Sequence, residues 1–253
     1  MHSGNRGAEA GQGRATLFVG DAHLRPGEPE RTRKLARFFD AMASRVEAVY
    51  IVGDLFDFWI GHRRSLAEPY RELFERLARM RAAGVRFYYV GGNHDFFVGA
   101  PFTEDLGAES ADEEIPVTLG GRRGLVVHGD LVNPRDYGYR FLRWLLRTRV
   151  VYWLTLLIPA ALLTRIAEGM SRTSRRYTRT LRPPPFECFR AFARAARARG
   201  FDFSVMGHFH TPGHHRIEGP AGTHDLYIVG DWFTQDQYVL YEDGRFRLER
   251  FEG

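Results

Sequence analysis

Five short polar blocks occur in this chain, and each directly follows an apolar run. They are residues 21–23 (DAH), 53–57 (GDLFD), 92–95 (GNHD), 128–130 (HGD) and 207–210 (GHFH). Together they contain enough carboxylate, imidazole and amide side chains for two metal ions that share one bridging group. Isolated pairs of this kind arise by chance, but five blocks in order at predicted strand ends do not. We therefore expect a fold in which several strand ends converge on a two-metal reaction centre.

The first hundred residues alternate between β-rich and helical segments. Residues 16–20, 46–52 and 85–90 are predicted strands, whereas 29–45 and 66–83 carry apolar residues at helical spacing. This alternation predicts parallel strands joined by right-handed crossovers. The polar blocks would then lie at the carboxyl ends of the strands, where open α/β sheets bind their ligands.

A different pattern is predicted for the second half of the chain. A hairpin is expected at 116–119 and 124–127, and a helix at 186–199 leads into a strand at 201–206. The last thirty residues alternate in the way that antiparallel strands do. These strands are predicted at 223–229, 237–241 and 245–251.

The separations between the blocks locate an insertion. The first four blocks follow one another at 33, 39 and 35 residues, measured between Asp21, Asp54, Asn93 and His128. Each separation is about the length of one strand–helix unit. His128 and His208 are 80 residues apart. We expect residues 133–185 to form a helical cap beside the site, because insertions of this length in compact domains are usually functional.

The predicted cap is both basic and apolar. Residues 135–182 contain 11 arginines but only two acids, Asp136 and Glu168. Such a surplus of positive charge attracts nucleic acid, anionic lipid or phosphorylated substrates. Apolar side chains lie between the arginines, Trp144 and Trp153 among them, and this mixture favours an anionic lipid surface. Packing of these helices onto the core is the alternative interpretation.

Composition excludes several classes of protein. A hydrophobic fraction of 44% and an aromatic fraction of 14% are typical of a globular chain. The single cysteine, Cys188, rules out an internal disulfide and suits a reducing cytosol. Residues 1–13 lack the apolar core of a signal peptide, and we expect a disordered tail ahead of a single domain at 14–253. The longest apolar run, 150–163, is shorter than the roughly 20 residues that span a bilayer.

The types of ligand restrict the choice of metal. Oxygen ligands favour hard cations and imidazole favours transition ions, so this mixed set suits manganese, iron or zinc. No cysteine belongs to the blocks, which argues against a structural zinc site. One carboxylate must bridge two ions that lie about 4 Å apart. Asp54 is the expected bridge, since it is the first acid after its strand and lies in the middle of the order.

These blocks make the chain similar to the calcineurin-like metallophosphoesterase superfamily over nearly its whole length. The resemblance implies an α/β fold, namely a β-sandwich flanked by helices in four layers (αββα) with an inserted helical cap. It also implies two divalent ions and in-line attack of water on phosphorus. The residues matching one ion are Asp21, His23, Asp54 and His210, and those matching the other are Asp54, Asn93, His128 and His208. His94, supported by Asp95, would contact the phosphate or protonate the leaving oxygen.

Several stretches also resemble the UDP-2,3-diacylglucosamine diphosphatase family, among them 50–56 (YIVGDLF), 58–61 (FWIG) and 136–139 (DYGY). The resemblance implies release of UMP and 2,3-diacylglucosamine 1-phosphate from a lipid-linked UDP-sugar in lipid A biosynthesis, with Mn²⁺ as the expected ion. The cap would hold the acyl chains, with polar contacts from Asp136, Tyr139, Ser174, Arg175 and Arg179. The protein would be cytoplasmic, bound peripherally to the anionic inner face of the bacterial cytoplasmic membrane.

One departure from this family leaves the substrate open. Members often carry arginine where this chain has His94, a titratable group in place of a fixed charge. Another lipid-linked or nucleotide diphosphate or phosphodiester is therefore the alternative substrate. The basic stretch alone would also fit a nuclease, but its apolar residues do not suit a phosphate-tracking groove, so no nucleic-acid partner is expected. A non-catalytic scaffold should lose metal ligands, whereas all seven are present, and no obligate protein partner is inferred.

Overall fold

The computed structural model describes residues 14–61, 64–158, 162 and 186–253 of the 253-residue chain. The strands are β1 (Ala15–Val19), β2 (Val46–Ile51), β3 (Trp59–Ile60), β4 (Arg86–Val90), β5 (Asp95–Phe97), β6 (Glu109–Ala111), β7 (Glu114–Leu119), β8 (Arg122–Val127), β9 (Phe203–Met206), β10 (Gly213–Ile217), β11 (His224–Ile228), β12 (Gln237–Glu242) and β13 (Arg245–Arg250). The helices are α1 (Pro29–Met42), α2 (Arg71–Ala82), α3 (Tyr137–Leu146), α4 (Arg149–Leu157) and α5 (Phe186–Ala198).

The first sheet has six strands in the order β13-β12-β1-β2-β4-β6. Strands β1, β2, β4 and β6 run parallel. On the other side of β1, β12 pairs with it antiparallel, and β13 is the edge strand. The parallel pairing of the first three predicted strands is confirmed. Their side chains form nearly continuous buried runs, as expected for strands that are covered on both faces.

The second sheet has five strands in the order β10-β11-β9-β8-β7. Its centre is parallel, because β9 runs parallel to both β8 and β11. The antiparallel pairing predicted at the carboxyl end of the chain is found between β12 and β13 and between β10 and β11, but β11 also pairs parallel with β9 on its other side. Strands β3 and β5 form a separate short parallel pair beside the first sheet.

Three apolar layers hold four layers of secondary structure together. Helices α1 and α2 pack on the outer face of the first sheet through Leu35, Phe38 and Leu77. A second cluster lies between the sheets and includes Phe18 and Phe203. The third cluster packs α5 against the outer face of the second sheet, with Phe189, Ala193 and Leu226 among its members. This αββα arrangement confirms the predicted fold.

Helix α2 begins later than its apolar pattern predicts. Residues Arg64–Leu66 and Glu68–Tyr70 form two 3₁₀ turns ahead of it. Pro69 lies in the second turn, and a proline can neither donate a backbone hydrogen bond nor fit inside an α-helix. The regular helix therefore starts only at Arg71.

The insertion begins with the two helices α3 and α4, each with a side-chain cap. Asp136 accepts a hydrogen bond from the backbone N–H of Tyr139, and Thr148 accepts one from Val151. Both helices expose large apolar side chains. Most of residues 159–185 lie outside the described part, so the full extent of the predicted cap stays a prediction. Every helix described is too short or too polar to cross a membrane.

Phe38 offers a test of how the first apolar layer stabilises the fold. Its fully buried ring lies 4.4 Å from the ring of Trp232 and 4.8 Å from that of Tyr238, measured between centroids. Phe38→Ala should lower the free energy of unfolding by about 3–5 kcal/mol, measured by urea denaturation. Arg71→Ala, at a side chain that is 78% exposed, should change it by about 0.5 kcal/mol or less. Equal losses in the two variants would contradict this packing.

Candidate metal centre

All five polar blocks come together at the carboxyl ends of strands from both sheets. Asp21 and Asp54 follow the parallel strands β1 and β2, and the turn at 92–95 follows β4. His128 and His208 follow β8 and β9, which are parallel neighbours in the second sheet. The backbone N–H of His208 donates to Oδ2 of Asp21 at 2.8 Å, which joins the two sheets at this edge.

Five of the predicted ligands have a left-handed backbone, with φ between 44° and 69°. They are Asp21, His23, Asp54, His208 and His210. This conformation is unfavourable for residues other than glycine, by about 1 kcal/mol or more each, and it concentrates at functional sites. The loops support one another, because the backbone N–H of His23 donates to the carbonyl of Asp54 at 3.0 Å. Strain held in this way points to a function of these loops.

Two glycines let the loops approach the buried carboxylates. A Cβ on Gly92 would lie 2.1 Å from Oδ1 of Asp54, and a Cβ on Gly207 would lie 2.4 Å from Oδ2 of Asp21. Any side chain at either position would push the carboxylate away. Gly92 and Gly207 are therefore required because the loops pack closely against Asp54 and Asp21.

One group of possible ligands consists of Asp21, His23 and His210. Nε2 of His210 lies 3.3 Å from Oδ1 of Asp21, and the two histidine Nε2 atoms are 3.4 Å apart. Oδ1 of Asp21 is buried, and it accepts no well-aligned hydrogen bond from the described residues. A buried carboxylate oxygen facing two imidazoles is a suitable environment for a divalent cation.

Another group consists of Asp54, His128 and His208, with Asn93 beside it, and a third, formed by His23, Asp57 and His94, shares His23 with the first. Nε2 of His128 lies 3.4 Å from Oδ2 of Asp54 and 3.1 Å from Oδ1 of Asn93. The histidine rings of His128 and His208 are 5.1 Å apart between centroids. Carboxylate, amide and imidazole donors thus converge here, and their chemistry fits a second divalent ion.

His128 and Asp54 each shift the pKa of the other. Burial alone would lower the pKa of His128, but the carboxylates of Asp54, Asp21 and Asp130 together outweigh it and raise that pKa to about 10. Burial would raise the pKa of Asp54, yet the imidazoles of His128 and His94 hold it well below the usual value. Without metal, the pair is therefore an ion pair near neutral pH, and a cation bound here would replace the proton on His128.

His23 and His208 behave differently. Burial lowers the pKa of each imidazole to about 4. Both side chains are therefore neutral near pH 7, which is the form that coordinates metal.

Backbone carbonyls fix the orientation of two histidines. Nδ1 of His128 lies 2.8 Å from the carbonyl oxygen of Val52, and Nδ1 of His94 lies 2.7 Å from that of Asp57. A carbonyl can only accept, so each Nδ1 carries the proton and donates it. Nε2 then faces the site, and in His94 this atom lies 3.9 Å from Oδ2 of Asp54.

Asp95 occupies a different position from the one expected beside His94. Its buried Oδ2 accepts hydrogen bonds from the backbone N–H groups of Asp54 and Gly92, at 2.7 and 3.0 Å. Burial and the neighbouring Asp54 carboxylate raise the pKa of Asp95 to about 6. Asp95 thus joins two site loops, whereas the Asp57 carbonyl supports His94.

The predicted substrate contacts are only partly described. The side chain of Asp136 caps α3, and the hydroxyl of Tyr139 donates to Asp130. Ser174, Arg175 and Arg179 lie outside the described residues.

Sequence reasoning missed Arg25 and Arg147. Nε of Arg25 lies 3.0 Å from the Asp57 carboxylate, and Arg147 donates to backbone carbonyls in the turn at 92–95. Neither arginine lies in a polar block, and although Arg147 belongs to the basic stretch 135–182, composition does not indicate which arginine of that stretch contacts the site.

Comparison with known proteins identifies relatives over most of the chain. A model of the family described as calcineurin-like phosphoesterase matches residues 15–212. A protein from Aeromonas salmonicida (strain A449) named UDP-2,3-diacylglucosamine hydrolase is 31% identical over 93% of this chain and 93% of its own length. One of the same name from Yersinia pseudotuberculosis serotype O:1b (strain IP 31758) is 32% identical over 89% of this chain and 94% of its own. A solved archaeal phosphodiesterase is 12% identical, with a TM-score of 0.47 over 94% of this chain and 99% of that one.

Proposed function

This chain belongs to the calcineurin-like phosphoesterase family, and from that premise we propose that it hydrolyses the pyrophosphate of UDP-2,3-diacylglucosamine. Water would attack the α-phosphorus, so that the products are UMP and 2,3-diacylglucosamine 1-phosphate. The observation that carries the proposal is the position of the metal centre, with two groups of ligands beside a helical insertion that exposes apolar side chains. A phosphoryl site next to an apolar surface suits a substrate that combines a diphosphate with acyl chains.

The group around Asp21 and the group around His128 would each hold one divalent ion. We assign Asp21, His23, Asp54 and His210 to one ion, and Asp54, Asn93, His128 and His208 to the other. Asp54 would be the bridging carboxylate, since its Oδ2 lies 3.4 Å from Nε2 of His128 and its charge also acts on His23. Two ions bound here would polarise the phosphoryl oxygens and activate the attacking water.

His94 would act on the phosphate or the leaving oxygen. Its Nδ1–H is held by the Asp57 carbonyl, which leaves Nε2 facing the site. From there the imidazole can contact a phosphoryl oxygen or hold a proton at the leaving oxygen. Asp95 would serve by positioning, because its carboxylate fixes the backbone N–H of Asp54.

The insertion would bind the diacylglucosamine half. We propose polar contacts from Asp136, Tyr139, Ser174, Arg175 and Arg179, and acyl chains held against the apolar helices. Asp136 and Tyr139 lie where α3 begins, and the hydroxyl of Tyr139 donates to Asp130 of the His128 block. The start of α3 can therefore contact the sugar while the phosphates lie at the metals.

Release of UMP by the Mn²⁺-loaded protein tests the proposed activity. UDP-2,3-diacylglucosamine should be hydrolysed, and His128→Ala and Asn93→Ala should each lower the rate about 100-fold or more, because each removes a metal ligand. UMP is measured by chromatography. His214→Ala is the matched control, since this exposed histidine pairs with Asp225 outside the five blocks and should keep full activity.

A panel of substrates distinguishes the proposal from its alternative. The same assay is run with UDP-glucosamine lacking acyl chains, with other nucleotide diphosphates and with a phosphodiester. Turnover of UDP-2,3-diacylglucosamine should exceed that of each of the others. Preference for a substrate without acyl chains would reject the lipid substrate, and unchanged turnover in His128→Ala would reject the ligand assignment.

Manganese is the proposed native ion, since an oxygen-rich set with imidazoles suits it. Below a pH of about 10, His128 carries a proton in the metal-free protein that Mn²⁺ must displace. The apparent affinity for Mn²⁺ should therefore rise by at least about tenfold per pH unit between roughly pH 6.5 and 8.5, since the pKa of His210 is also raised by the Asp21 carboxylate and this ligand can lose a proton too. Calorimetry in two buffers of different ionisation enthalpy measures the affinity and the protons released. An affinity that does not change over this range would contradict the protonated His128.

We also propose peripheral binding to an anionic membrane surface on the cytoplasmic side. Helices α3 and α4 expose Phe141, Trp144, Trp153 and Leu157, each more than half exposed. A patch of large apolar and aromatic side chains on a soluble surface marks an interaction site. The exposed arginines Arg135, Arg140 and Arg149 flank it and favour anionic headgroups.

Binding to vesicles rich in phosphatidylglycerol tests the proposed membrane-binding surface of the protein. The double variant Trp144→Ser, Trp153→Ser should bind them at least about tenfold more weakly, because two indole rings no longer enter the interface. Cosedimentation measures the binding. Leu248→Ser in β13 removes an exposed apolar side chain elsewhere and should bind normally. Equal binding by the double variant and the parent would reject this surface.

A further inference from the structure

Arg147 follows α3 and reaches from the insertion into the turn at 92–95. Its Nη2 donates to the carbonyl oxygens of Gly92 and Asp95, at 2.7 and 2.9 Å. Its Nη1 donates to the carbonyl oxygen of Asp112 at 3.1 Å. The side chain is only 11% exposed. A planar guanidinium that makes three such hydrogen bonds in a partly buried setting holds its acceptors in fixed directions.

The turn held by Arg147 supplies several groups to the metal centre. The side-chain oxygen of Asn93 lies 3.1 Å from Nε2 of His128. The backbone N–H of His94 donates to Oδ1 of Asp54 at 2.8 Å. Since Arg147 bonds the carbonyls on either side of Asn93 and His94, a shift of the turn would move both residues relative to Asp54.

We propose that Arg147 is a positioning residue that holds Asn93 and His94 in register with Asp54 and so couples the insertion to the metal centre. It acts through the backbone of the turn and does not touch the substrate. The proposal rests on the proposed function for its kinetic effect, whereas its effect on metal binding can be measured without any substrate.

Arg143, one helical turn earlier on α3, forms a second attachment between the insertion and the loops of the metal centre. Its Nε lies 2.9 Å from Oδ2 of Asp130, two residues after His128, and it also donates to the Asp112 carbonyl. Helix α3 is thus fixed to two of the loops that carry proposed ligands. Exposed apolar side chains lie on the same helix. A molecule that contacts them can therefore influence the positions of the ligand loops through Arg143 and Arg147.

The test compares Arg147→Gln with Arg147→Lys. By electron paramagnetic resonance titration, Arg147→Gln should bind one of two Mn²⁺ ions about tenfold more weakly, as is typical when the support of a metal ligand is removed. Its kcat for UMP release should fall by a similar factor while KM changes little. Arg147→Lys should recover part of both losses, because the ammonium keeps the charge and donors but lacks the planar fork.

Arg140→Gln is the matched control. It removes the same charge from the neighbouring helix α3, at an exposed side chain whose hydrogen bond within the described part of the chain is to the carbonyl of Leu131, at 3.3 Å. Its affinity for Mn²⁺ should equal that of the parent protein. Equal weakening in Arg140→Gln would reject positioning in favour of a general charge effect, and unchanged Mn²⁺ affinity and kcat in Arg147→Gln would reject it outright. If the parent releases no UMP but Arg147→Gln still binds Mn²⁺ more weakly, the substrate is wrong and the positioning role stands.

Discussion

The buried Asp54 carboxylate is the group on which the rest of the site depends. A carboxylate removed from water is unstable unless positive charge and hydrogen-bond donors surround it. Other parts of the chain supply the His128 imidazole and the backbone N–H of His94. In the proposed function, two cations add further positive charge. Gly92 has no side chain because Asp54 occupies that space. The arrangement of the loops therefore follows from the need to stabilise one buried charge.

The parallel strands explain how residues far apart in sequence meet at that charge. Strands β1, β2 and β4 end at one edge, so the blocks that follow them are neighbours without any further constraint. The centre of the second sheet is also parallel, and this brings the His128 and His208 blocks to the same place. A purely antiparallel second sheet would have placed those two blocks at opposite ends of β8 and β9.

The sequence predicted the features that depend on periodicity and on ligand type. Buried strands, amphipathic helices and five polar blocks are local patterns, and each is found in the structure close to its predicted position. Strands as short as β3 and β6 leave no such pattern. Contacts to the backbone are equally hidden, because any residue supplies a carbonyl. The Asp57 carbonyl that holds His94, and the carbonyls that Arg147 bonds, could therefore be found only in the structure.

The arginines of the insertion form one basic stretch in the sequence, and those that the structure describes fall into two kinds. Arg143 and Arg147 are about one-tenth exposed and are committed to the ligand loops, so they contribute little to an outer surface. Arg140 and Arg149 are exposed beside the apolar side chains. Fewer free charges than the composition indicates are thus available to anionic lipid. Apolar insertion must then supply more of the membrane affinity, and that part of the binding would persist at high salt, where screening weakens the contribution of the exposed arginines.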